Sequence, residues 1–140
     1  MKIDIIDPPG GVDTPQFIAY VGEVLATEHK TFEYVNVIFL GKDDLRLMKK
    51  EYFEKDVYTD VIAFNLNEPD ENIEGEIYLS YEQIVDNANS YNTKLDIELL
   101  RVLIHGCLHL CGYEDDTPAA KEQMTDLENQ YIKKLMDLNT

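Results

Sequence analysis

The period of the apolar positions changes several times along the chain, and each change marks an element. Lys2–Ile6 is a short β-like run, cut off by Asp7-Pro8-Pro9-Gly10-Gly11, a strong backbone breaker. Phe17, Ile18, Val21, Val24 and Leu25 then recur at helical spacing. They predict a helix with Thr14 as its cap and Pro15 at its first position, ending near His29. Tyr34–Leu40 reads as a compact apolar strand ended by Gly41. Asp43 or Asp44 caps a short helix that carries Leu45 and Met48 and runs to about Tyr52. Val61–Leu66 and Glu76–Ser80 read as two further strands, with the polar stretch Asn67–Gly75 as a loop between them. Ser80 followed by Gln83 is a capping-box pattern that opens a helix to about Tyr91. Asp96 starts a markedly apolar helix through His109, stopped near Gly112, and Thr117-Pro118 opens a last helix to about Leu138. The order β-α-β-α-β-β-α-α-α predicts an α+β fold, a small mixed four-stranded sheet packed with about five helices. No repeat, low-complexity tract or long linker divides the chain, so residues 1–140 read as a single domain.

Composition narrows the partners. Twelve Lys and Arg stand against 28 Asp and Glu, a formal net charge of −16. Such a field keeps a protein in solution and repels anionic surfaces, which argues against a general nucleic-acid coat protein or a membrane-surface binder. No apolar run approaches the ~20 residues of a membrane span, and residues 1–15 lack the pattern of a signal peptide. Two cysteines make no disulfide framework, so the expected location is the cytoplasm.

The chemistry gathers between residues 105 and 116. His105 and His109 lie about 40° apart on an ideal helix, one turn apart on one face. Two imidazoles so placed can hold one Zn²⁺ at about 2.0–2.1 Å each. Gly112 can end the helix and reverse the chain, bringing a third ligand from 113–116 back over the pair. The spacing H-x-x-x-H-x-x-G-x-x-D is similar to the longer zinc-protease pattern, but the residue after the first histidine is Gly106, where those enzymes place the Glu that activates water. Cys107 lies about 200° and Cys111 about 120° round the helix from His105, so both read as small hydrophobes rather than ligands.

The residues His105-Gly106-x-Leu108-His109-Leu110-x-Gly112-Tyr113 resemble the signature of the YbeY endoribonucleases, bacterial metal-dependent enzymes of ribosomal RNA maturation. Thr59-Asp60-Val61-Ile62-Ala63-Phe64 is similar to that family's T-[DN]-V-L-S-F strand, and Gly75-Glu76-Ile77-Tyr78-Leu79-Ser80 to its G-D-I strand. The resemblance implies an α+β zinc-site fold, a single-stranded RNA substrate and a link to the small ribosomal subunit, with no DNA or membrane partner expected. The chain departs from the family at two positions. Asp115 stands where the family has its third histidine ligand, and Phe53 stands where it has an arginine thought to assist catalysis. With Asp115 as third ligand the site holds one Zn²⁺ and, having a harder oxygen donor, also tolerates Mn²⁺ or Fe²⁺. Glu114 and Asp116 are the candidates for general base.

Lys42, Arg46, Lys49, Lys50 and Lys55 concentrate the cations in the one stretch that is not net acidic. Arg46, Lys49 and Lys50 share a helix face and are the candidate RNA contacts, against the plainer account of a solvated face. Arg101, a turn before His105, reads as paired with a nearby acid, and His29 as a surface residue. Three functions compete: an endoribonuclease, a ribosome-assembly or RNA-binding factor with a structural metal, and a zinc peptidase, which Gly106 disfavours.

Overall fold

Apolar alternation and helical spacing place the elements in the order that the sequence predicts. A computed structural model describes residues 1–138, which form β1 (Lys2–Ile6), α1 (Thr14–Thr27), β2 (Phe32–Phe39), α2 (Lys42–Phe53), β3 (Val61–Asn65), β4 (Ile73–Leu79), α3 (Tyr81–Tyr91), α4 (Leu95–Leu110) and α5 (Pro118–Leu138). The sheet order is β1-β2-β4-β3, with β1/β2 and β2/β4 parallel and β3/β4 antiparallel. This is the mixed four-stranded sheet of an α+β protein. No helix among the described residues is long and apolar enough to cross a membrane.

Several boundaries move for local reasons. Asp13, not Thr14, caps α1: its carboxylate accepts from the Gln16 N–H at 3.1 Å, and Thr14 is already helical. Gly41 precedes α2, which puts Asp43 and Asp44 in the first turn, where they face the positive end of the helix instead of capping it. Lys94 precedes α4 without a side-chain cap. β4 starts three residues earlier than its apolar run because Ile73 pairs with Phe32 of β2, so tertiary pairing extends the strand into a polar segment. Ser80 and Thr117 cap α3 and α5, accepting from the Gln83 N–H at 3.2 Å and the Ala120 N–H at 3.1 Å. The reciprocal half of the Ser80–Gln83 box does not form, because the Ser80 N–H donates to the Asp60 carbonyl and the Gln83 side chain to Asn87.

α4 is the centre of the fold. Leu100, Leu103, Ile104, Cys107 and Leu108 are buried among β3, β4, α1, α3 and α5, so the helix is apolar nearly all round. Two glycines set how closely it lies on the sheet. A Cβ on Gly106 would stand 2.8 Å from Ile77 Cγ2 of β4 and 3.4 Å from Val61 Cγ2 of β3. One on Gly75 would stand 2.7 Å from Leu110 Cδ1. At both points the backbone occupies space that any side chain would fill.

Gly106→Ala is therefore expected to destabilise. Overpacking against the branched Ile77 costs about 1–3 kcal/mol, offset by at most about 1 kcal/mol of helix propensity. Each net kcal/mol lost should lower the melting temperature of a chain of this length by roughly 3–5 °C. An unchanged value in a thermal melt would show slack between α4 and the sheet.

Candidate metal centre

His105 and His109 fall one turn apart near the end of α4 and are half-buried, their rings at a centroid distance of 4.6 Å. The helix ends in a Schellman motif. The Gly112 N–H donates to the His109 carbonyl at 3.0 Å and the Tyr113 N–H to the Leu108 carbonyl at 3.1 Å, with Gly112 at φ +101°. That backbone angle suits glycine and turns the chain back over its own last turn. The Tyr113 hydroxyl donates to Glu28 Oε1 at 2.7 Å, and the Tyr131 hydroxyl bonds the other Glu28 oxygen, so the loop is tied to the end of α1.

The reversal delivers Asp115. Its Oδ2 lies 3.4 Å from His105 Nε2 and 3.6 Å from His109 Nε2, and the two Nε2 atoms are 3.0 Å apart. A tetrahedral ion bound at about 2.0–2.1 Å keeps its ligand atoms about 3.3 Å from one another, so this triangle fits one metal ion. Among the described residues no fourth His, Cys, Asp or Glu joins the group, so a metal held there would keep a coordination position open. Glu114 and Asp116 are exposed on either side of Asp115; Glu114 lines the groove described below and Asp116 is not among its lining residues.

Behind the ligands stands a residue that the spacing of the histidines gives no reason to expect. Glu128 of α5 is 6% exposed and meets His105 Nδ1 at 2.7 Å with Oε2, while its Oε1 accepts from Arg101 at 3.1 Å. Arg101 also donates to Asn129 at 2.8 Å, so it is paired, not aimed at the metal group. A carboxylate on Nδ1 fixes the ring orientation and leaves Nε2 free to bind a metal. Glu128 did leave a signal: Met124, Glu128, Tyr131 and Leu135 recur at helical spacing as the buried stripe of α5, and Glu128 is the acid among them.

The electrostatics separate the two histidines. Burial pulls the His105 pKa down, but the Glu128 hydrogen bond and charge, with Asp115 and Asp60, reverse this and leave it above the ordinary imidazole value. His109 lies below that value, because burial and the neighbouring His105 outweigh Asp115. Burial lifts the Cys111 thiol to about 12 and pushes Cys107 up as well, so neither is a ready thiolate ligand.

His105, His109 and Asp115 face a groove of about 500 Å³, whose walls also include Lys49, Phe53, Lys55, Asp60 and Glu114. A second cavity of about 320 Å³ shares Asp60, Val61 and His105 with it and adds Arg101 and Glu128. Asp60 thus stands between the two cavities, accepting from Asn87 at 3.0 Å, with its pKa raised by burial. Of the three cations singled out on α2, Lys49 lines the groove. Arg46 is held by Asp56 at 2.8 Å beside the Tyr58 ring, and Lys50 is exposed and not among the groove residues.

Fold and site together define a class, the α+β proteins that set a His-x-x-x-His helix and a returning acidic loop over a small mixed sheet. Comparison with known proteins identifies the branch. The family model of endoribonuclease YbeY matches residues 11–136. The chain is 39% identical over 113 residues to the endoribonuclease YbeY of Christiangramia forsetii, covering 81% of this chain and 78% of that protein. It is 39% identical over 113 residues to that of Amoebophilus asiaticus, covering 81% and 77%. A solution structure of a Thermotoga maritima protein superposes with a TM-score of 0.65 at 28% identity, covering 95% of this chain and 88% of that one. The chain belongs to the endoribonuclease YbeY family.

Metal affinity, read by chelator competition, tests the geometry. Asp115→Ala is expected to weaken Zn²⁺ binding strongly, Asp115→His to keep or tighten it, and Glu114→Ala and Asp116→Ala to leave it unchanged. Glu128→Gln, which breaks no ligand bond, should cost about 10–100-fold. Retention of full affinity by Asp115→Ala would place the third ligand elsewhere.

Proposed function

We propose that this chain works as one metal-dependent endoribonuclease domain. It cuts single-stranded ribosomal RNA during maturation of the small ribosomal subunit, in the cytoplasm, with one Zn²⁺ on His105, His109 and Asp115. The observation that carries this reading is a three-ligand group, with no fourth protein ligand among the described residues, facing a groove that also holds Lys49 and Lys55, in a member of the endoribonuclease YbeY family. Bound there, the ion would supply Lewis acidity toward a phosphoryl oxygen and make a water molecule more acidic.

The chain's own residues do the rest. Lys49 and Lys55 attract the phosphate backbone into the groove, in a protein whose overall charge would repel it. Lys50 continues the cationic side of α2 beyond the groove, whereas the charge of Arg46 is paired with Asp56. Glu128 orients the His105 ring and keeps its Nε2 toward the groove. Glu114 is placed to take a proton at the groove wall; Asp116 is the more remote alternative.

The family membership and the open ligand group favour an enzyme over an assembly factor with a closed, structural metal. Peptide hydrolysis is disfavoured at one position. Gly106, where a zinc protease carries its catalytic Glu, faces Ile77 and Val61 of the sheet with no room for a side chain.

Zinc-loaded protein is expected to cut an unstructured RNA and to leave casein and short peptides intact, with His109→Ala abolishing RNA cleavage. Cleavage of peptide by the unaltered protein, or undiminished RNA cleavage by His109→Ala, would overturn the assignment. Lys49→Glu combined with Lys50→Glu should also flatten the salt dependence of RNA binding, by about 0.7 in the log–log slope for each phosphate that is no longer neutralised. An unchanged slope would return both lysines to a solvated face.

A further inference from the structure

The rim of the groove carries an aromatic cluster that metal chemistry does not require. Phe53, at the end of α2, lies nearly parallel to Phe64 of β3, with centroids 5.9 Å apart and planes 15° apart. Tyr52 and Tyr78 meet Phe64 edge-on at 5.4 and 6.1 Å. Phe53 is nevertheless 42% exposed, at the end of a helix that buries only Leu45 deeply. It also lines the same groove as His105, His109 and Asp115. Lys49 places its ammonium 4.6 Å from the Phe53 ring centroid. A half-exposed phenyl ring, backed by a second ring and attended by a cation, combines the two parts of a single-strand binding surface, a π-face for a base and a positive charge for its phosphate.

We infer that Phe53 is a stacking platform for one unpaired nucleobase of the RNA, set beside the metal group so that the adjoining phosphate lies in the groove. This rests on the endoribonuclease reading above and adds to it the residue that holds the base. Phe64 supports the ring from behind and limits its rotation. Lys49 lies on the ring in the free protein and exchanges that contact for the phosphate when RNA enters, since a charge-assisted contact to phosphate is stronger than one to an exposed ring. Stacking of this kind tolerates any base, because each has a π-face, and it excludes a base still held in a duplex. The platform therefore contributes strand selectivity without sequence readout.

The test uses full-length zinc-loaded protein and a labelled, cleavage-resistant 2′-O-methyl oligonucleotide, unstructured and carrying a single abasic site at each position in turn. With the unaltered protein, one abasic position should weaken binding by about 5- to 150-fold. Phe53→Leu should weaken binding of the intact strand by a similar factor and become insensitive to that abasic position, while Phe53→Tyr retains both affinity and sensitivity. Zinc affinity and the far-ultraviolet dichroism of Phe53→Leu should match the unaltered protein, which separates loss of the platform from loss of the site. Unchanged RNA affinity in Phe53→Leu, or continued sensitivity to the same abasic position, would overturn the platform while leaving the endoribonuclease reading intact. Failure of the unaltered protein to bind the intact strand would overturn both.

Discussion

Helix α4 lies on the sheet closely enough that its backbone, not its side chains, makes the contact at Gly106. With Ile77 Cγ2 only 2.8 Å from where a Cβ would stand, the helix cannot rotate or lift without opening a gap under its most buried residues. Gly75 receives Leu110 in the same way from the sheet side. These two approaches fix both the rotation and the axial position of α4, and positions 105 and 109 follow from them. The histidines flank the glycine in sequence yet lie round the helix from the sheet-facing side, where the groove opens. The same contact removes the carboxylate that peptide chemistry would need.

The His105–His109–Asp115 cluster is assembled by three separate constraints. Helical repeat alone pairs the histidines. The Schellman turn at Gly112 returns the chain within a few residues, and the bonds of Tyr113 and Tyr131 to Glu28 anchor that return to α1. Glu128, from the far end of the sequence, then holds His105 by its other nitrogen. A buried carboxylate that bonds both an imidazole and Arg101 has little reason to be in an apolar stripe except to satisfy those groups.

The element order was legible because it follows from periodicity and caps: Ser80 and the pair Thr117-Pro118 act locally, and both hydroxyls cap the helices they precede. The start of β4 was not, because Ile73 joins the sheet through its partner Phe32 rather than through its neighbours. The same division holds at the site. His105, His109 and Asp115 lie within eleven residues, and their meeting could be read from one helix and one turn. Glu128, Asp60 and Phe53 reach the site from α5, from the residue before β3 and from α2, so only the packing brings them together. Glu128 left a trace as an acid on the buried stripe of α5, and Asp60 and Phe53 left theirs in the motif resemblance, as the second residue of the Thr59–Phe64 strand and as the residue at the arginine position.

The two departures from the family's pattern act on the same quantity, the charge that the groove presents to a phosphate. By the motif resemblance, a carboxylate at position 115 stands where the family pattern has an imidazole, and a phenyl ring at position 53 where it has a guanidinium. Both changes make the groove less positive. Among the groups lining it, the carboxylates of Asp60, Glu114 and Asp115 outnumber the lysines Lys49 and Lys55, so the side chains alone give the phosphate backbone little net attraction. A divalent ion on the ligand triangle reverses that balance. In a chain of net charge −16, an ion held there would favour the approach of RNA to this groove, and the stacking proposed for Phe53 would add a contact that does not depend on charge. Stacking is less screened by salt than a phosphate contact is, so an acidic protein that holds its substrate partly by a base depends less on the cations it lacks.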